Sequence, residues 1–129
     1  MSASGSTENE MLAYHEAMSL DPPALIDSLI QILGAPTVAY LGSVKETRAV
    51  RQWAAAERAP TPAVIKRLRD AYQIARLLNA TNTTDVVQAW FQGMNPLLGD
   101  NPPARLLRDG DTDEAAHRVL AAARNFINP

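Results

Sequence analysis

Apolar residues recur at helical spacing along most of this chain, and no stretch alternates with the period of two that a half-buried strand requires. Asp21 is placed to cap a helix whose first positions are Pro22 and Pro23. Leu25, Ile26, Leu29, Ile30 and Leu33 follow on one face, and Gly34 supplies the stop. Ala35 to Leu41 reads as a short second helix closed by Gly42, and Glu46 to Glu57 as a third, with Val50, Trp53 and Ala54 inward. Thr61 and Pro62 repeat the cap-plus-proline start. The stripe Val64, Ile65, Leu68, Ala71, Tyr72, Ala75 and Leu78 then predicts a long helix to about Asn79.

Beyond a polar loop, Val86, Val87, Trp90 and Phe91 mark a helix that stops at Gly93. Asn95 to Pro103 is a connector rich in Pro and Gly, and Pro103 to Arg108 is one short helix before Gly110. Asp111 and Glu114 have capping-box spacing, with Asp in the cap role, ahead of Ala115, Ala116, Val119, Leu120, Ala123 and Phe126. The last core position of that stripe is expected at Ala123. The expected class is all-α, a compact multi-helix bundle. Residues 1–20 are expected as a flexible tail, residues 21–80 as a region resembling a helix-turn-helix, and residues 81–129 as a small C-terminal helical part.

The chain has 129 residues, enough for a core without staples, and 47% of them are hydrophobic, which suits a globular domain. It has no cysteine, which excludes disulfides, Cys-based zinc sites and thiol nucleophiles. The N-terminus lacks the layout of a secretory signal and no apolar run has membrane-spanning length, so a cytoplasmic protein without membrane contact is expected. The net charge of −2 conceals an asymmetry. Residues 1–44 carry five acids and no Lys or Arg, and residues 45–76 carry eight bases against three acids. Residues 77–129 carry four bases against six acids. A basic middle in a near-neutral chain directs a nucleic-acid hypothesis to that middle.

Enzymatic motifs are lacking: there is no Gly-rich phosphate loop, no HExxH and no nucleophile elbow. His117 beside Arg118 reads as a solvated or structural residue. The carboxylates Asp109, Asp111, Asp113 and Glu114 suit a helix N-terminus better than a metal site. No metal, cofactor or catalytic residue is expected. Val38-Ala-Tyr-Leu-Gly42 and the helix after it have the layout of a helix-turn-helix. Lys45, Arg48 and Arg51 are placed for phosphates and base edges, Thr47 and Gln52 for neutral readout, and Arg58 extends the set. An ordinary solvated basic face has the same pattern.

Trp90-Phe91, Asn95-Pro96-Leu97-Leu98-Gly99 and Pro103-Ala-Arg105-Leu106-Leu107-Arg108-Asp109-Gly110-Asp111, followed by an Ala-rich helix, resemble the toxin-binding domain of Xre/MbcA/ParS-type antitoxins. The upstream block from Val38 through Trp53 to Pro60 resembles the helix-turn-helix part of the same proteins, especially the shorter MbcA-like ones. The likeness runs over about residues 25–127 in the same order. Asp100 departs from it, standing where many members have a second glycine.

The resemblance implies an antitoxin of a type II toxin–antitoxin pair. Its partner would be a RES-domain toxin that degrades NAD⁺, neutralised by occlusion of the NAD⁺ pocket, with operator DNA as a further partner in autorepression. A homodimer or a larger hetero-oligomer with the toxin is expected. Pro96, Leu97, Leu98, Gly99, Arg105, Arg108 and Asp109 would meet the toxin, although for Leu97, Leu106 and Trp90 packing within the chain is the simpler expectation. The C-terminal Arg124, Asn125, Phe126, Ile127, Asn128 and Pro129 combine a guanidinium, a ring, two amides and a carboxylate, a set able to fill a dinucleotide pocket. A stand-alone helix-turn-helix transcriptional regulator is the alternative from a different functional class.

Overall fold

A computed structural model describes residues 2–129, with side chains from Thr7 onward; Met1 lies outside the described residues. The described chain is all-helical: α1 (Ser2–Ser19), α2 (Pro22–Leu33), α3 (Ala35–Leu41), α4 (Thr47–Ala54), α5 (Pro62–Asn79), α6 (Thr84–Gln92), α7 (Pro103–Asp109) and α8 (Thr112–Ile127). A 3₁₀ turn at Pro96–Leu98 lies between α6 and α7.

The starts follow local chemistry. Asp21 accepts from the Ala24 N–H at 3.0 Å, Thr61 from Val64 at 3.3 Å and Asp111 from Glu114 at 3.2 Å, each satisfying one of the orphan donors at a helix N-terminus. Gly34 ends α2 at φ 86°, a conformation glycine adopts without steric cost. α4 is shorter than its sequence pattern of Glu46 to Glu57: it stops at Ala54, because Ala56 turns left-handed at φ 61° and the Glu57 N–H folds back onto the Gln52 carbonyl at 2.9 Å.

One core runs through the molecule. Leu25, Ile26, Leu29, Leu68, Ile74 and Leu78 from the first part share it with Val87, Phe91, Leu98, Leu107 and Val119 from the second. The 80/81 boundary therefore divides the chain but not the core. α5 is the central strut, packed against α1, α2 and α8.

The segment expected as a frayed tail is a helix docked on α5. Ala13 and Ala17 are buried against it. Arg69 donates to the Ala17 and Leu20 carbonyls at 2.8 and 2.7 Å, closing the C-terminal end of α1. Glu16 accepts from Tyr72 Oη at 2.7 Å and Arg76 Nε at 3.1 Å. These partners lie 49 to 60 residues away along the chain, so the order of this helix is tertiary in origin.

The Tyr72 contact has a pH signature. Burial, then the hydrogen bond to Glu16, pushes the Tyr72 hydroxyl up to about 12 from its usual 10. Below pH 10 the phenol is protonated whether the chain is folded or unfolded, and its contribution is fully present. Between pH 10 and 12 the unfolded chain ionises first, so stability falls as pH rises. Denaturant melts are expected to lose about 2 kcal/mol more in wild type than in Tyr72→Phe over that window. Parallel stability curves for the two proteins would show that Tyr72 is not held this way.

Candidate functional site

The connector after α6 is a compact turn. Asn95 Oδ1 accepts from the Leu97 N–H at 2.9 Å, and the Asn95 carbonyl accepts from Leu98 and Asp100, both at 2.9 Å. Pro96 takes the first position of the 3₁₀ turn, where its missing N–H costs nothing. Gly99 and Asp100 are both left-handed, at φ 63° and 65°. A second glycine would relax the backbone at position 100, and aspartate is among the few other residues that tolerate this region.

The turn separates its two leucines. Leu98 is buried at 1% exposure, whereas Leu97 stands out at 57%. Leu98 therefore belongs to the core and not to a contact surface, and Leu97 is no core residue. A one-residue step around a tight turn reverses direction, which hydrophobicity alone does not reveal. Leu106 is half-buried against the core, and so is Trp90.

Trp90 lies edge-on to Phe91 with ring centroids 5.4 Å apart, and 6.3 Å from the Phe126 ring on α8. Val86 lies one turn before Trp90 on α6, and Met94 follows that helix. Val86, Met94, Leu97 and Phe126 are four of the eight large apolar side chains exposed among the described residues. The other four, Met11, Leu12, Tyr14 and Met18, are on α1. Met94 was missed by sequence reasoning, because a methionine between Gly93 and Asn95 belongs to no periodic stripe.

The C-terminal residues are more tethered than their sequence suggests. Helical structure continues to Ile127, and that side chain packs partly on the core, one turn beyond Ala123. Arg124 Nε pairs with Glu10 Oε1 of α1 at 2.7 Å. Asn125, Phe126, Asn128 and Pro129 are exposed, as are Pro96 and Gly99.

The α7 residues lie elsewhere. Arg105 lines an apolar cleft of about 320 Å³ with Pro36, Thr37, Tyr40, Phe91 and Ala104. The Arg108 guanidinium stacks 4.6 Å over the Tyr40 ring, and Asp109 is exposed, 3.8 Å from Arg108 Nε. The predicted toxin-facing residues thus do not form one surface: Leu98 is in the core, Arg105 and Arg108 lie beside α3, Arg124 is tied to α1, and Pro96, Leu97, Gly99, Asn125, Phe126 and Pro129 are exposed.

On α4, Thr47, Arg48, Arg51 and Gln52 border one open hollow. Arg51 Nη1 donates to Thr47 Oγ1 at 2.8 Å, and Arg58 Nη1 to Gln52 Oε1 at 3.3 Å. Lys45, Arg48 and Arg58 are exposed. None of Lys45, Arg48, Arg51 and Arg58 has a carboxylate within ion-pair reach among the described residues. By contrast, Lys66, Arg76 and Arg124 are all paired.

The acidic residues near α8 have local roles. Asp111 caps the helix, and Asp113 lies 3.4 Å from Lys66 Nζ. Lys66 also holds Asp70 at 2.9 Å, and burial pushes the Asp70 carboxyl up despite that partner. Among the described residues no group of three His, Asp or Glu side chains is arranged to hold a metal ion, and no helix is long and apolar enough to cross a membrane. No family model, curated protein or solved structure matches this chain.

Proposed function

We propose that this protein is the antitoxin of a type II toxin–antitoxin pair and neutralises a RES-domain, NAD⁺-degrading toxin by covering its active site. The observation that carries this reading is the set of large apolar side chains left exposed in α6, the connector and the end of α8, with Trp90 and Phe126 in ring contact. Val86 comes from α6, Met94 and Leu97 from the connector and Phe126 from the last turn of α8; Trp90 of α6 meets the Phe126 ring, and the 3₁₀ turn of the connector packs on α8. These are the segments whose motifs resemble the toxin-binding domain. Exposed polar residues adjoin them in the chain, Asn125 before Phe126 and Asp100 after the connector's Gly99. Exposed apolar side chains interspersed with polar ones are common at protein–protein interfaces.

Such an inhibitor acts by stoichiometry. NAD⁺ consumption by a purified RES-domain toxin is expected to fall linearly as this protein is added, reaching a floor at a fixed molar ratio. Unchanged consumption at a several-fold excess would sink the reading.

A second reading, compatible with the first, is operator binding through α3 and α4. It is favoured by the unpaired cations Lys45, Arg48, Arg51 and Arg58, because a polyphosphate partner supplies the counter-charge that the chain itself withholds.

A further inference from the structure

The geometry points to a phosphate-binding site at the turn between α3 and α4, formed by Ser43, Arg67 and Arg108. Ser43 sits in the turn at φ 57°. Arg67 reaches it from α5: its Nη1 donates to Ser43 Oγ at 3.3 Å and to the Leu41 carbonyl at 2.9 Å. Arg108 reaches it from α7, with Nε 3.4 Å from the same Oγ. A serine hydroxyl has two acceptor lone pairs and one proton to donate. Here two cationic donors address the lone pairs, so the hydroxyl is left with a polarised O–H to offer. No protein acceptor takes it among the described residues.

Closing the end of α3 accounts for the Arg67 bond to Leu41. It does not account for a second guanidinium on the same hydroxyl. Two like charges sharing one neutral atom repel, and Arg67 has no carboxylate within ion-pair reach among the described residues. The one acid near Arg108 is the exposed Asp109, at 3.8 Å. An oxyanion resting against both guanidiniums and the hydroxyl proton removes the repulsion. Stacking on Tyr40 holds the planar Arg108 fork in place, which lowers the ordering cost of binding. A phosphate suits this set best, because its several acceptor oxygens can take donors from two forks and a hydroxyl together.

The source of that phosphate rests on the second reading above. Lys45 and Arg48 continue the run of cations from Ser43 into α4, which favours a nucleic-acid backbone over a free anion. Arg67 also supports α3, so the cleaner variants are Arg108→Gln and Ser43→Gly; glycine loses the hydroxyl and accepts the left-handed turn.

The full chain is titrated with a fluorescent promoter duplex at several salt concentrations, and separately with inorganic phosphate while the Ser43 amide is followed by NMR. Arg108→Gln is expected to reduce the slope of log affinity against log salt by about one. Ser43→Gly is expected to weaken binding about fivefold with the slope unchanged, as for loss of one uncharged donor. Inorganic phosphate should shift the Ser43 amide in wild type and not in Arg108→Gln. A phosphate response without duplex binding keeps the site and removes the DNA reading. Duplex binding that depends on Arg48 and Arg51 but ignores both turn variants overturns the site and keeps the DNA reading. Silence in both titrations overturns the two together.

Discussion

Changing Leu97 and Phe126 together to aspartate is expected to cost about a thousandfold in affinity for the proposed toxin partner while leaving the fold intact. Both side chains are exposed, at 57% and 44%, so neither substitution opens a core cavity. Buried interface anchors typically lose about 2 kcal/mol or more each on truncation, and a carboxylate left without a partner in a desolvated patch adds to that. Two such losses amount to about 4 kcal/mol, or about three orders of magnitude, with the usual non-additivity between neighbours. The measurement is the inhibitor titration of NAD⁺ consumption, with a thermal melt beside it. A double variant that inhibits at the wild-type ratio would remove this surface from the interface. Leu98→Asp, one position along the chain, has the opposite character: it places a charge at a site only 1% exposed and should unfold the protein outright.

Removing residues 1–20 is expected to lower the melting temperature by about 15 °C or more. The deletion uncovers the α5 face that Ala13 and Ala17 shield, and it strips Arg69 of two carbonyl acceptors. It also leaves Tyr72, which is 4% exposed, and Arg76 without Glu16. Each part-buried hydrogen-bonding group orphaned in this way costs about 1–3 kcal/mol unless water reaches it. The sum, about 4 kcal/mol or more, is a large share of the 5–15 kcal/mol that holds a domain together. At about 4 °C per kcal/mol this gives the stated shift. A truncated chain that melts within about 3 °C of the full one would mean that α1 is a dispensable appendage.

Segments governed by local chemistry were legible in advance. Asp21, Thr61 and Asp111 cap the helices they precede. Gly34, Gly42 and Gly110 lie where helices end, and the Val64–Leu78 stripe faces the core along α5. Capping, proline placement and 3.6-residue periodicity act over three or four residues, so the chain carries them in plain view. The all-helical class follows from the same short-range rules.

The rest of the architecture depends on residues far apart along the chain. α1 has apolar side chains on both faces, Ala13 and Ala17 inward and Met11, Leu12, Tyr14 and Met18 outward, so it lacks the one-sided stripe that betrays a docked helix. Its order comes from α5. The neighbouring leucines of the connector are alike in chemistry, and only the left-handed pair Gly99–Asp100 and the packing of Leu98 decide which one faces solvent. Arg124 reads as a free terminal charge until Glu10, 114 residues earlier, is found beside it. The cluster at Ser43 joins positions 24 and 65 residues apart, and no local rule brings α5 and α7 to the same turn. Secondary structure is a short-range property of this chain, whereas its surfaces are made where distant helices meet.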